Sequence, residues 1–368
     1  MRQFEFTLAG PEDDAQLRQR MAADWMRGNI SVSFRREPNY FRGCQVQGKS
    51  FEVMKCTEIS TGKIISLGSR LMTTVFLNGR PETIGYLADL RLQAAYRNRT
   101  ILVRGYRFLQ QLHEANPVPL YYSMILSGNT TALQTLVGGR AGLPYYHDLG
   151  LVLTPAIHLD FPQPSLRIPG VRFERGKTQQ LPEILRFLHN WQAKKQFAPC
   201  YRLAAFGSAR LRGLRAEDFY LAVKDNRIVG TVAAWSQEEF RQTCVEQYSW
   251  QLRLMRPIYN LLARLTPLKP LPEPGSAIPY FYLAFVAVEE NDLEIFRGLV
   301  RAVHCDRVSS PSHYFIAGLH ETDPLAAVLQ DYRRIEAAGR LFAVYYPDGE
   351  AFFKQLDRRI PYIEMATI

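Results

Sequence analysis

The run Leu92-Gln93-Ala94-Ala95-Tyr96-Arg97-Asn98-Arg99-Thr100-Ile101-Leu102 joins the end of an alternating apolar segment to the start of a helical one. Main-chain N–H groups at a helix start lack intrahelical acceptors and the helix dipole is positive there, so this turn has the makings of an anion site. Arg97 and Arg99 add charge, and each can grip a phosphate through paired hydrogen bonds. The bland alternative is a solvated basic turn. No other catalytic pattern competes: the chain has no Gly-x-Ser-x-Gly elbow, no His-Glu-x-x-His and no Gly-x-x-x-x-Gly-Lys phosphate loop. His313 and His320 bracket one predicted strand and read as structural residues.

The elements around this turn occur twice. Tyr86-Leu87-Ala88-Asp89-Leu90-Arg91-Leu92 recurs as Tyr282-Leu283-Ala284-Phe285-Val286-Ala287-Val288, with its first three residues identical. In the first half Phe51 to Glu58 and Lys63 to Leu77 read as strands, and Asn78-Gly79 turns the chain into Thr83 to Leu92. Ile84, Tyr86, Ala88, Leu90 and Leu92 share one face of that last strand, with Asp89 and Arg91 on the other. From Thr100 the period becomes helical, with Ile101, Gly105, Phe108, Leu109 and Leu112 on one stripe. Leu120 to Leu126 then reads as a strand covered on both faces, and Asn129 or Thr130 as the cap of a short helix. The second half repeats this order: a hairpin over Phe219–Val223 and Ile228–Trp235 around Asp225-Asn226, the strand Tyr280–Val288, a helix over Ile295–Val303, and a strand at Tyr314–Leu319. Thr322 and Asp323 are cap candidates before Pro324. Pro155 to Gly170, with Pro162, Pro164 and Pro169, is expected to continue neither a helix nor a central strand, and marks the boundary between units 1–160 and 171–368. The second half adds Ser236 to Pro279, with a basic amphipathic helix of Leu254, Ile258, Leu261, Leu262 and Leu265 beside Arg253, Arg256 and Arg264. Its apolar stripe is expected to pack on its own domain or a second subunit, with a membrane surface as the alternative.

The strand, turn and helix resemble the GCN5-related N-acetyltransferase family, whose signature strand is followed by V-x-P-x-x-R-G-x-G-x-G or A and a helix. Leu92 takes the Val position, Ala94 the Pro, Arg97 the Arg, Thr100 the first required Gly and Leu102 the second. The resemblance implies an α/β fold with mixed sheets, in two tandem domains of this type. Each would be a mostly antiparallel meander leading into a splayed parallel central strand pair with flanking helices. It implies acetyl-coenzyme A, or another acyl-coenzyme A, as co-substrate, with Leu92 and Ala94 at the acyl arm and Arg97, Asn98, Arg99, Thr100, Ile101 and Leu102 at the pyrophosphate. It further implies an N-acyltransferase in which a primary amine attacks the thioester directly, which needs a base and donors for the oxyanion. Asp89 is the candidate base; its alternative roles are a salt bridge, with Arg70 or Arg91 as candidate partners, or a carboxylate on a solvated face. The family pattern N-x-x-A-x-x-x-Y falls on Asn129, Ala132 and Leu136, so its tyrosine acid is missing, and Tyr145 or Tyr146 are the substitutes. Asn129 joins the cofactor-binding set. Glu289-Glu290-Asn291-Asp292 stands where the first copy has its basic turn and would repel a pyrophosphate, so the second domain is expected not to hold coenzyme A and to shape the acceptor site or a subunit contact. There Glu321 and Asp323 read as caps or amine ligands.

Composition sets the outer bounds. A chain of 368 residues exceeds what one core usually organises, and 47% apolar with 22% charged residues is ordinary for a globular protein. Cys44, Cys56, Cys200, Cys244 and Cys305 are odd in number and show no C-x-x-C pair, which argues against a disulfide framework and a zinc site. The absence of an 18-residue apolar run gives no membrane span and a cytoplasmic expectation. A net charge of +10, spread mostly over arginines along the chain, fits local anion sites. The expected partners are a small-molecule or peptide amine acceptor and a second copy in a homodimer. The competing readings are a non-catalytic binding or regulatory protein of this fold and a Fem-like transferase drawing on aminoacyl-tRNA, the one reading that brings in nucleic acid.

Overall fold

The computed structural model describes residues 3–97, 100–137 and 143–368. The first half runs β1 (Phe4–Leu8), α1 (Asp14–Ala22), β2 (Ile30–Arg35), α2 (Tyr40–Gln47), β3 (Ser50–Glu58), β4 (Lys63–Leu77), β5 (Arg80–Leu92), α3 (Ile101–Ala115), β6 (Tyr121–Leu126), α4 (Thr130–Leu136), β7 (Tyr145–Leu153) and β8 (Ala156–His158). The second continues with β9 (Val171–Arg175), α5 (Leu181–Gln192), β10 (Phe219–Lys224), β11 (Arg227–Trp235), β12 (Gln242–Tyr248), α6 (Trp250–Ala263), β13 (Tyr280–Val288), α7 (Leu293–Arg307), β14 (Tyr314–Ala317), β15 (Leu319–His320), β16 (Arg334–Ile335), β17 (Ala338–Tyr345) and α8 (Glu350–Phe353).

Two large sheets result, ordered β1-β3-β4-β5-β6-β17-β7-β15 and β16-β8-β14-β13-β11-β10-β9. Each is covered on both faces, as the near-continuous apolar runs demand. In the second half α7 buries Phe296, Leu299, Val300 and Val303 on one face and α5 buries Ile184, Leu185 and Leu188 on the other. In the first, α3 sets Tyr106 and Leu109 against one face while Leu17, Tyr40 and Cys44 of α1 and α2 cover the other. The predicted turns form as read: Asn78-Gly79 and Asp225-Asn226 take positive φ at both central positions, which matches the twist of the strands they join.

The internal repeat is exact at its least expected point. Asp89 (φ 56°) and Phe285 (φ 55°), the fourth residues of the matching runs, both adopt left-handed backbone inside a strand. At each, two residues oppose one on the neighbouring strand, and the register slips between Leu67 and Ser69 in one sheet and between Thr231 and Ala233 in the other. Just before the first bulge, β5 and β6 pair in parallel only at Gly85–Tyr121 and Tyr86–Tyr122 and then part. Gly85 permits this approach, since a Cβ there would lie 2.0 Å from the Tyr121 ring, which Arg70 and His113 hold by hydrogen bonds of 2.9 and 2.8 Å to its hydroxyl.

Three features differ from the sequence expectation. The proline-rich stretch does carry a central strand: β8 is proline-free and pairs antiparallel with β14 and β16 of the second sheet. Conversely β17, from near the chain's end, lies antiparallel between β6 and β7 of the first sheet. Residues 1–160 therefore give β8 to the second sheet, and residues 171–368 give β17 and the short edge strand β15 to the first. Finally, α6 does not bury its apolar stripe on its own domain, the first of the placements expected for it. Its inward side is polar, with Arg256 Nε and Asn260 Nδ2 donating to the Leu271 carbonyl at 3.1 and 3.0 Å, so Leu254, Ile258 and Leu261 face outward.

In the second half the gap beyond the strand pair is filled by the chain's own tail. Phe285 N–H donates to Glu364 Oε2 at 2.7 Å, and Val286 N–H to the Tyr362 hydroxyl at 3.1 Å. Burial pushes the Glu364 carboxyl up to about 7, against the opposing bonds from Phe285, Ala366 and Tyr362.

Two expectations follow. A fragment of residues 1–160 lacks β17, which leaves β6 and β7 without the strand between them; it is expected to be molten, with ANS binding and no cooperative melt, and a sharp thermal transition in that fragment would refute the need for strand exchange. Folded Glu364 binds a proton more tightly than unfolded Glu364, so between the ordinary 4.5 and about 7 the folded state carries more protons and stability declines as pH rises. Melting temperature is expected to drop across that window and to stay lower above it, with the slope reduced in Glu364→Gln.

Candidate functional site

A cavity of about 600 Å³ opens where β5 and β6 part. It reaches from Ile101, Leu102 and Asn129 at the helix starts of the first half to Tyr280, Tyr314 and Ile316 of the second. Its walls are mainly apolar, and among the described residues Asp89 is the one Asp or Glu side chain lining it. The comparable pocket in the second half, along Val286–Val288, measures about 90 Å³.

Asp89 stands at the bulge because its left-handed backbone turns the strand and aims the side chain toward β2 and α2. Its partner is neither Arg70 nor Arg91. Arg36 Nη2 donates to Oδ2 at 2.5 Å and the Tyr40 hydroxyl donates to the same oxygen at 3.1 Å. Arg70 is engaged elsewhere, by Glu52, because its guanidinium lies on the opposite face of β4. Among the described residues Oδ1 accepts no hydrogen bond, and the side chain stays 10% exposed. Arg36 is buried and also donates to Gln47 Oε1 at 2.8 Å and Cys44 Sγ at 3.4 Å. Burial is the largest single influence and lowers its proton affinity, but Asp89, Tyr40, Cys44 and Tyr86 together raise it above the ordinary arginine value. Tyr40 opens α2, whose start is fixed by Asn39 Oδ1 accepting from Phe41 N–H and Arg42 N–H at 3.0 and 3.3 Å.

The turn itself begins at Leu92, the last residue of β5. Ala94 lies in a short 3₁₀ turn, Ala94–Tyr96, and Arg97 Nε reaches back to the Leu92 carbonyl at 3.4 Å. Asn98 and Arg99 lie outside the described residues. Thr100 stands at the N-cap of α3 with no side-chain bond to the first turn, so the amides there are not capped by it. Ile101 is buried against Phe4 and Cys56, and Leu102 packs beside Leu109 and Leu136. Leu92, Ile101, Leu102 and Asn129 line the cavity; Ala94 and Arg97 do not. Asn129 caps α4 through Oδ1, accepting from Ala132 N–H at 3.1 Å.

Of the two tyrosines offered as acids, Tyr146 lines the cavity and shares a 2.8 Å hydrogen bond with Tyr106, whereas Tyr145 is exposed and lies against Tyr345. Burial first, then the neighbouring Tyr106, keep the Tyr146 phenol protonated well beyond its ordinary range. Leu136, in the place of the family tyrosine, is core. His320 bonds the Leu149 carbonyl at 2.7 Å, and burial foremost pushes His313 down to about 4; neither lines the cavity. Glu321 accepts from Leu151 N–H, and Asp323 caps the turn at Leu325 and binds Lys195.

The acidic turn of the second half is built as expected. Asp292 caps α7 through Glu294 N–H and Ile295 N–H, Glu289 pairs with Arg227, and Glu290 with Lys194. All five cysteines are free thiols, and among the described residues no cluster suits a metal ion. No helix of the described residues is long and apolar enough to cross a membrane.

Sequence reasoning missed Arg36, Tyr40 and the Tyr280–Tyr282–Tyr314 group at the far end of the cavity, where two hydroxyls lie 3.2 Å apart and two rings stack at 5.3 Å. For Arg36 no local signal exists. For the tyrosines the signal was the repeat itself, since Tyr282 matches Tyr86.

No family model matches the chain, and no curated protein does. Solved structures do. Saccharomyces cerevisiae N-myristoyltransferase with bound myristoyl-CoA aligns with a TM-score of 0.59 at 10% identity, over 99% of this chain and 86% of that one. A GCN5-related N-acetyltransferase from Sphaerobacter thermophilus aligns with a TM-score of 0.55 at 10% identity, over 100% and 99%. At such identity the likeness speaks for architecture: the chain has a GCN5-related N-acetyltransferase-like fold along nearly its whole length.

Proposed function

We propose that the protein is an N-acyltransferase that moves an acyl group from coenzyme A to an amine, using the first-half cavity. The observation that carries this reading is the parted β5–β6 pair with its bulge, opening into a space that continues past the α3 start. In such a gap main-chain groups can pair with a pantetheine arm, and the α3 amides with Arg97 can meet the pyrophosphate. Thr100 and Leu102 bring side chains where glycines would leave room, so the phosphate seat is shaped differently from the family pattern.

In this reading the amine attacks the thioester carbonyl, the tetrahedral oxyanion collapses, and the C–S bond breaks to release the thiolate. Asp89 Oδ1 takes the ammonium proton, with Oδ2 fixed by Arg36 and Tyr40. Tyr146 supplies a proton donor for the departing sulfur. The size and apolar lining of the cavity favour an acyl group longer than acetyl; the yeast structure's ligand, myristoyl-CoA, is a long-chain example of the class. The second half takes no cofactor in this reading, since Tyr362 and Glu364 already occupy its gap and carboxylates guard its helix start. The two halves are read as one tandem unit, with the acceptor entering between them.

Calorimetry with acetyl-, octanoyl- and myristoyl-coenzyme A is expected to give dissociation constants on the order of micromolar, tightest for a longer chain, weakened at least about tenfold by Arg97→Ala with Arg99→Ala. Failure of all three to bind would remove the acyltransferase reading and leave a binding or regulatory role. With an amine acceptor in hand, Asp89→Asn is expected to lower kcat by roughly 100-fold or more while acyl-coenzyme A affinity holds. The substitution leaves Arg36 unpaired at a cost of about 3 to 5 kcal/mol, so circular dichroism must first verify folding at the assay temperature. Unchanged kcat in a folded variant would strip Asp89 of the base role.

A further inference from the structure

The amphipathicity of α6 is inverted relative to the body it sits on. Trp250, Leu254, Ile258, Leu261 and Leu262 form its outer face, continued by Leu265 just past its end, with exposures of 70% at Trp250 and Leu254, 66% at Ile258 and 81% at Leu265. No residue of the helix is buried. The inner side is instead a set of polar ties: Arg256 and Asn260 hold the Leu271 carbonyl, Leu271 N–H returns a bond of 2.8 Å to Asn260 Oδ1, and beyond the helix Lys269 holds the carbonyls of Val308 and Ser310. These bonds fix which way the helix faces. An isolated exposed leucine needs no explanation, but a whole helical face of large apolar residues does.

Charge decides between occupants. From Trp250 to Pro272 the sequence has four cations, Arg253, Arg256, Arg264 and Lys269, and no Asp or Glu. Arg256 and Lys269 are engaged as described. Arg253 and Arg264 are exposed beside the apolar face, and among the described residues neither is ion-paired. A second copy docked about a two-fold axis on this helix would bring like charges together with no carboxylate on the helix to meet them. An anionic bilayer satisfies both halves of the surface, with acyl chains for the leucines, headgroup phosphates for the arginines and the interface for Trp250. The net charge of +10 acts in the same direction.

We propose that α6 docks the protein on an anionic lipid surface, lying in the interface plane with its outer face among the acyl chains. The placement adds a consequence for access. β12, which leads directly into α6, pairs with β2, and this ribbon forms part of the cavity wall through Val32, Phe34 and Thr243. The inference stands on the helix alone and does not depend on the catalytic reading.

The test is co-sedimentation of the full chain with phosphatidylcholine vesicles and with vesicles in which about a third of the lipid is phosphatidylglycerol. Binding is expected to be at least about tenfold tighter to the anionic vesicles, and to fall about tenfold in Arg253→Gln with Arg264→Gln. Leu254→Ser with Ile258→Ser and Leu261→Ser keeps every charge and alters only exposed positions, so its melting temperature is expected to hold while vesicle binding is lost. Vesicle binding that survives in this triple variant means general electrostatic attraction by a basic protein and overturns the proposal. So does equal binding to both vesicle types, or none to either. A dimer of the parent chain by light scattering that becomes a monomer in the triple variant, without vesicle binding, assigns the face to a second copy and equally overturns it.

Discussion

Two parallel strands that separate leave a row of main-chain donors and acceptors that something must satisfy, and this constraint organises both halves of the molecule. In each half the strand carrying the Tyr-Leu-Ala repeat bulges at its fourth residue, and the ladder to the next parallel strand ends just before the bulge. One plan then meets two solutions. At Phe285 and Val286 the tail supplies a carboxylate and a phenol of its own. At Asp89 and Leu90 the equivalent positions line an open cavity. The asymmetry between halves is therefore an asymmetry in what fills the gap, laid over a shared backbone.

The Arg36–Asp89 pair shows how the open copy is kept in shape. A buried guanidinium with three acceptors joins the approach to α2, the middle of α2 and the β5 bulge, so that a residue with costly left-handed backbone is held from outside its own strand. The pair is also the reason Asp89 presents to the cavity an oxygen with no hydrogen-bond partner among the described residues: the other is committed to structure.

How much of this could be read from residues alone follows from the range of the forces involved. Turn chemistry and periodicity act locally, so the hairpins at Asn78-Gly79 and Asp225-Asn226, the helix after Thr100 and the repeated strand were legible, and the repeat even aligned the two bulges that no propensity would have indicated. Long-range choices were not. Nothing near Arg36 announces that it will meet Asp89 rather than leave that role to Arg70 or Arg91, because the meeting depends on how α2 lies across the sheet. The prolines around 155–170 were read as excluding a central strand, yet three proline-free residues sufficed for one, since its neighbours come from far along the chain. The α6 stripe was found but its direction was not, because a helical period states that a face is apolar without stating which way it points.

The exchange of strands between the sheets also has a consequence in time. Residues of β7 leave the ribosome with their sheet unfinished, and the strand that belongs between β6 and β7 follows only at Ala338–Tyr345, roughly 190 residues later. At about 5 to 20 residues per second that is a wait of about ten to forty seconds, during which two edges made of Tyr, Ile, Leu and Val stand open to any passing strand. A chain laid out this way does not complete its first half first. Its biogenesis calls for a holding factor, or for a second half that folds fast enough to deliver the missing strand before a stranger does.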